Sequence, residues 1–138
     1  MRDFKKYLII FLFVLFTFKV SAQIDTNYVW SYQLKGEAWQ DWDSINHVWM
    51  NDVYAPCLKA NKLKMSCAKC VYIYIDAGFT IDECGKLVDI KIFKENVCSK
   101  KASEKLKKCF FDYFLNMVFP ISLRNNKIIS KFGTGLKC

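Results

Sequence analysis

Most of the residue patterns that mark catalytic or metal sites are missing from this sequence. It has a single histidine, His47, and it lacks the G-x-S-x-G and H-E-x-x-H motifs of common hydrolases. Its one C-x-x-C pair, Cys67 and Cys70, has no second pair at zinc-binding spacing, and Val71 stands where c-type haem attachment needs a histidine. We therefore expect no catalytic residue, no metal site and no cofactor.

The apolar run near the N-terminus is too short to cross a membrane. Residues 7–18 form a run of 12 residues that follows Arg2, Lys5 and Lys6, whereas a membrane-spanning helix needs about 20. A basic start, a short apolar run and small residues before the cleavage point are typical of a secretory signal peptide. We expect residues 1–22 to be removed between Ala22 and Gln23. The mature chain is then periplasmic or extracellular, with no transmembrane span.

Arginine is nearly missing after this leader, where only Arg124 remains. A chain that is exported, poor in arginine and without a recognition motif is not expected to bind nucleic acid. The charge is uneven, since residues 23–58 carry five acidic residues and one lysine and the excess of lysine lies in residues 59–138. The basic half indicates solvated lysines, attraction to the acidic half, or an acidic partner.

Cysteine, in contrast, is abundant, and all seven cysteines lie after residue 22. In an oxidising compartment disulfides are the default, and an odd number leaves at least one thiol unpaired in a monomer. We expect the free thiol to be Cys109, because it lies on the apolar side of a predicted helix, where a thiol can remain as a small buried side chain. Cys138 at the chain end is the competing choice. The expected disulfide partners are the other six: Cys57, Cys67, Cys70, Cys84, Cys98 and Cys138.

Two segments with strand character are separated by turn residues. Residues 71–75 and 79–81 are β-branched and aromatic, with a bulge or bend expected at Ala77 and Gly78. Residues 87–93 alternate in part, and Gly85 between the two segments suits a turn that needs positive φ. The pattern predicts a β-hairpin, and a last strand is predicted near residues 127–132.

One amphipathic helix is predicted after the hairpin. Ser99 is a good N-cap for a helix over residues 100–118, which Pro120 would stop. The helix has a main apolar stripe that should cover the sheet and a second apolar row on its other side. Either the aromatic N-terminal segment packs over this second row, which we favour, or the row is a partner surface. The row consists of Phe111, Leu115 and Val118.

Residues 24–54 are rich in tryptophan and tyrosine without a sustained period, so we expect an irregular segment with at most one short helix near residues 37–50. Its tryptophans are expected to fill the core, although exposed tryptophans can also stack on sugar rings. The chain thus predicts an α+β fold: a small antiparallel sheet of the hairpin and closing strand, packed by one amphipathic helix and stapled by disulfides. We divide it into a signal peptide (1–22), an aromatic-rich segment and connector (23–66), and a small α+β domain (67–138).

Residues 79–92, F-T-I-D-E-C-G-K-L-V-D-I-K-I, followed by a helix, Pro120 and a final strand, resemble the TonB-like C-terminal domain family over about residues 71–138. The resemblance implies a periplasmic module that contacts a protein partner by strand addition. An open edge strand near residues 127–132, including Ile128 and Ile129, is the expected docking site. We therefore expect a non-enzymatic binding module of the cell envelope whose partner is a protein. The alternative is a periplasmic thiol-disulfide oxidoreductase that uses Cys67 and Cys70.

Overall fold

The computed structural model describes residues 27–138, so the predicted signal peptide lies outside the described residues. These residues form an α+β fold with a four-stranded sheet in the order β1-β4-β2-β3, which confirms the predicted class. The strands are β1 (Val29–Trp30), β2 (Tyr72–Ile81), β3 (Leu87–Asn96) and β4 (Lys127–Gly135), and the main helices are α1 (Gly36–Val48), α2 (Ala55–Ala60) and α3 (Lys100–Phe114). In residues 27–138 no helix is long and apolar enough to cross a bilayer.

The short helix expected near residues 37–50 is present as α1, but the aromatic-rich segment is helical over a longer range than predicted. A π-helical stretch, Trp49–Tyr54, joins α1 to α2 without a break. Trp42, Ile45 and Trp49 follow a helical spacing, and both tryptophans are buried. The π-helical turns widen the helix just before Pro56, whose ring and missing N–H would otherwise disrupt an α-helix. This tolerated proline and the shift in spacing hid the helix in the sequence.

The predicted hairpin is present as β2 and β3, which pair antiparallel. The Asp82 carboxylate closes the turn by accepting hydrogen bonds from the backbone N–H groups of Cys84 and Lys86, at 2.9 and 2.7 Å. Gly85 has a φ of +80°, as its predicted role in the turn requires. The register shifts beside Ala77, near the predicted bend, but the extra residue is Phe93 on β3.

Helix α3 begins as predicted, because the Ser99 hydroxyl accepts a hydrogen bond from the backbone N–H of Ala102 at 3.1 Å. It ends at Phe114, four residues before the predicted end. Phe119 is fully buried, and its backbone N–H donates to the Gly85 carbonyl in the hairpin turn at 2.8 Å. The chain therefore leaves the helical path early in order to place Phe119 in the core.

The core is a cluster of aromatic rings between the sheet and the helices. Trp49 packs its ring against Phe110, Phe114 and Phe132 at centroid distances of 5.4, 5.6 and 6.1 Å. Burying each such side chain contributes roughly 1.5–3 kcal/mol to the free energy of folding. Trp42, Trp49 and Tyr54 belong to the same cluster as the sheet residues, so segments on both sides of residue 66 share one core.

Candidate interaction surface at the sheet edge

Among the described residues β3 is open along its whole outer side, whereas the outer side of β4 is paired at Ile128 and Ile129. On its outer side β4 is joined by β1, which pairs in parallel with Ile128 and Ile129, and on its inner side it is joined by β2. Ile128 is fully buried and Ile129 is 5% exposed. The prediction that Ile128 and Ile129 belong to a partner surface on an edge strand is therefore wrong. A two-residue strand such as β1 carries too weak a pattern to be recognised in a sequence.

Within residues 27–138 nothing pairs with the outer side of β3, and this edge is ten residues long. An edge strand of this kind presents unpaired backbone N–H and C=O groups to an incoming strand. Lys91 and Lys94 are exposed on β3, and edge lysines are a common way to limit nonspecific strand pairing. The backbone groups on the outer side of β3 are thus left without a strand partner among the described residues.

A shallow groove of about 440 Å³ runs between β3 and α3. Phe93 and Phe111 contribute apolar surface to it, one from each element. Glu95 lines its polar side and connects β3 to α3. The Glu95 carboxylate lies 3.3 Å from the Lys107 ammonium and accepts a hydrogen bond from the Ser103 hydroxyl at 3.0 Å. The hydrogen bond to Glu95 raises the pKa of Lys107. These contacts fix the distance between the helix and the edge strand.

Two residues of the second apolar row are exposed. Leu115 is 60% exposed and Val118 is 65% exposed, while Phe111 is partly buried and packs against the core. The favoured prediction that the aromatic N-terminal segment packs over this row is wrong, because Trp42 and Trp49 lie inside the core on the other side of α3. Phe111 lines the groove, whereas Leu115 and Val118, which follow the last residue of α3, are uncovered apolar surface.

The cysteines form three disulfides: Cys57–Cys109, Cys67–Cys138 and Cys70–Cys98, with Cα atoms 6.4, 5.7 and 5.3 Å apart. The presence of disulfides is confirmed, and disulfides of this density are typical of proteins that fold in an oxidising compartment.

Two cysteine assignments from the sequence are wrong. Cys109 is bonded to Cys57, because α2 lies beside α3 in the structure and the continuous helix that places it there was not predicted. The free cysteine is Cys84, which was expected to be bridged and is instead exposed in the hairpin turn.

The C-x-x-C cysteines are not bonded to each other. Cys67 and Cys70 lie in a turn closed by a bridge between Ser66 and Cys70, and each is bonded to a cysteine far away in the sequence. The turn leads into β2 instead of opening a helix. Among the described residues no group of histidine, cysteine or acidic side chains is arranged to hold a metal ion.

Asp76 is the one buried charged residue among the described residues of the sheet, and it was not predicted as a site residue. It is 9% exposed and lies near the middle of β2. The available signal was a lone carboxylate within the apolar run Y-I-Y-I-D-A-G-F, since a buried acid without a partner is costly and therefore informative.

Comparison of the chain with protein-family models, with curated proteins and with solved structures finds no match, so the case for its function rests on its own residues.

Proposed function

We propose that the chain is an exported, non-enzymatic binding module that docks an extended segment of a partner protein along β3. The observation that carries this proposal is the long unpaired edge of β3 beside the groove formed with α3. In strand addition, main-chain hydrogen bonds supply affinity and pockets for alternate side chains supply specificity. The edge and the groove offer both kinds of contact to one peptide.

The apolar row supports the same mode of binding. A peptide paired with β3 would direct every second side chain toward α3, where Phe111 lies in the groove and Leu115 and Val118 are exposed. Burial of apolar area contributes about 25 cal/mol per Å², so these side chains can add affinity to the backbone contacts. The resemblance of residues 71–138 to TonB-like domains, which bind partners by strand addition, supports the proposal.

A peptide selection with the oxidised full chain tests the proposal. Random peptides displayed on phage would be selected on the immobilised protein, and the binders mapped by NMR and amide hydrogen exchange. We expect binding to shift the amide signals of Leu87–Asn96 and to slow exchange at the outward-facing amides of β3, because a new strand ladder covers them. Binders that map only to other surfaces would contradict docking at β3.

Point variants test the role of the apolar row. Leu115→Glu should weaken binding of the selected peptides by about tenfold or more, since it places a charge in an apolar contact. Val48→Glu is a matched control, because Val48 is an exposed apolar residue on α1, away from β3. Equal losses of affinity in the two variants would show that the row is not part of the docking surface.

The bridges at Cys67 and Cys70 support a structural role for the C-x-x-C motif over thiol-disulfide exchange. A catalytic dithiol cycles between two cysteines that bond to each other, whereas here the partners are Cys138 and Cys98. Structural disulfides have reduction potentials below about −300 mV. We expect the potentials of both bridges in this range, and a value near that of known oxidoreductases would favour the redox function instead.

A further inference from the structure

A cleft of about 520 Å³ lies at the β1/β4 side of the sheet, where residues of β1, α1, β2 and β4 line it, on the opposite side of the sheet order from the β3 edge. Volumes of this size are typical of sites for small ligands. Its apolar side includes Trp30 and Tyr32, whose rings stack at a centroid distance of 5.7 Å with 21° between their planes. Trp39 on α1 also lines the cleft and is 43% exposed. The cleft therefore offers flat aromatic surfaces that a ligand can reach.

Asp76 lines the same cleft and is 91% buried. Its Oδ1 atom has no hydrogen-bond partner among the described residues. A buried carboxylate oxygen without a donor costs free energy that a folded protein normally avoids. The unpaired acceptor is thus explained if a ligand supplies the missing donor.

The two lysines that flank Asp76 in the sheet form no ion pair with it in the described part of the chain. Lys94 on β3 and Lys131 on β4 are its direct cross-strand neighbours. Their ammonium groups lie instead over the ring of Tyr74, at 5.9 and 4.4 Å from its centroid. The Lys94 side chain, followed by Asn96, lowers the pKa of Tyr74, which is a further sign that Lys94 is directed to the phenol.

Other groups in the cleft favour a hydrogen-bond donor with positive charge. Asp43 on α1 adds a second, exposed carboxylate, and the buried side-chain oxygen of Asn46 has no donor within residues 27–138. Lys131 is the one basic residue that lines the cleft. Carboxylates bind ammonium and guanidinium groups through strong charge-assisted hydrogen bonds, and aromatic faces attract the same cations. A neutral ligand without an N–H group would use the rings but would leave Oδ1 of Asp76 without a donor.

We infer that this cleft binds an organic cation with N–H donors, a primary ammonium or a guanidinium group, that hydrogen-bonds to Asp76 and packs against Trp30 and Tyr32. The same chemistry is carried by a free amine and by a lysine or arginine side chain of a peptide. A quaternary ammonium has the charge without the N–H donors, so it should bind more weakly. This inference concerns a site separate from β3 and does not depend on strand addition.

The test is a titration of the oxidised full chain followed by tryptophan fluorescence and by NMR of the indole N–H groups. The probes are butylamine, agmatine, the N-acetyl methylamides of lysine and arginine, choline, and glucose as a neutral ligand. We expect the N–H cations to shift the indole signals and to bind at least about tenfold more tightly than choline. Glucose binding without amine binding, or no binding of any probe at millimolar concentration, would overturn the inference.

Point variants of the cleft residues test which side chains bind the cation. Asp76→Asn retains the size of the side chain and removes its charge, and it should lower cation affinity at least about tenfold. Asp89→Asn removes an exposed carboxylate of β3 and serves as the matched control. Tyr32→Ala, at a side chain that is 69% exposed, should fold and should weaken binding, so the inference stays testable if the Asp76 variant is unstable. Unchanged affinity in both the Asp76 and the Tyr32 variants would exclude this cleft.

A last comparison separates the two sources of the cation. If a peptide that contains lysine or arginine binds about tenfold more tightly than the matching acetylated residue, the site takes a side chain of a partner protein. Equal affinities indicate a small amine as the ligand. Either result supports the inference, provided that Asp76→Asn removes the binding.

Discussion

The two faces of β2 differ in the kind of side chain that they bury. The face toward the helices carries Ile73, Ile75 and Phe79, all fully buried among aromatic rings. The opposite face, reached by the alternating residues, carries Tyr74 and the unpaired Asp76. We call these the helix face and the back face.

The back face also differs in its charges. Four lysine ammonium groups lie over aromatic rings there, in the pairs Lys91–Phe93, Lys94–Tyr74, Lys127–Tyr28 and Lys131–Tyr74. Such contacts contribute about 0.5–1 kcal/mol each at exposed sites, less than the burial of one core ring. The comparison teaches that the helix face supplies most of the stability, whereas the back face retains polar groups that stability alone does not explain.

The largest expected effect comes from removing a ring of the helix face. Phe79 contacts Phe114 and Phe132 at centroid distances of 4.9 and 5.5 Å. Phe79→Ala should lower the free energy of unfolding by about 3–5 kcal/mol, because it leaves a cavity in the core. Urea unfolding of the oxidised protein measures the loss. Tyr74→Ala on the back face is the control and should cost about 1–2 kcal/mol, because its ring carries two cation–π contacts, so equal losses would contradict the comparison.

Removal of the disulfide between the helices should cause the next largest loss of the free energy of unfolding. Cys57–Cys109 joins α2 to α3 across a sequence separation of 52 residues. Changing both cysteines to alanine should cost about 2–4 kcal/mol, because the unfolded chain regains the entropy of an open loop. The same change at Cys70 and Cys98, with a separation of 28 residues, should cost about 0.5 kcal/mol less. A reversed order in urea unfolding would mean that native contacts outweigh loop length.

A smaller effect is expected at Tyr54, which connects the helical segment to the sheet. Its hydroxyl donates to the Ile73 carbonyl at 2.9 Å and lies 2.9 Å from the Thr134 hydroxyl. Tyr54→Phe should cost about 1 kcal/mol at neutral pH, because the buried partners lose this hydrogen bond. Thermal unfolding measures the cost, and Tyr32→Phe, at an exposed tyrosine, is the control.

Tyr54 should also make the free energy of unfolding depend on pH. Burial raises the pKa of Tyr54 above 10.0, against the weaker lowering by its hydrogen bonds to Thr134. The unfolded chain therefore releases the phenolic proton at a lower pH than the folded protein does, so the contribution of Tyr54 to the free energy of unfolding falls as the pH rises above about 10. The pKa of Tyr113 is also raised, by burial and then by the charge of Asp52, so part of the decline should remain in Tyr54→Phe. A decline as steep as in the parent chain would contradict this role.

The smallest effect is expected at Cys84, which lies in the hairpin turn outside both faces. Cys84→Ser should change the free energy of unfolding by about 0.5 kcal/mol or less, since the thiol is exposed and unpaired. In the oxidised protein, iodoacetamide should label Cys84 alone, as peptide mass mapping can verify. A label on Cys109 would mean that the bridge to Cys57 does not form.

Local signals were predicted well, and signals that depend on two distant elements were not. The Ser99 cap, the turn at Gly85 and the hairpin each rest on residues close together in the sequence, which is why pattern and turn chemistry were sufficient. The continuation of the helix through Pro56 was not predicted, because its π-helical turns depend on how the tryptophans pack in the core. The cleft that Asp76 lines was not predicted, because its walls come from α1, β2 and β4, which are far apart in the sequence.

The sequence by itself determined the α+β class, the presence of disulfides and the main apolar stripe of α3, since composition and short-range periodicity carry these properties. Only the tertiary structure decided which cysteines pair, which strand is the edge and where Asp76 lies. The physical reason is the same in each case. A disulfide needs its Cα atoms within about 7 Å, an edge is defined by the strand that is absent beside it, and a buried charge is defined by its neighbours in space. These are distances between remote segments, and they are set by how the aromatic core packs.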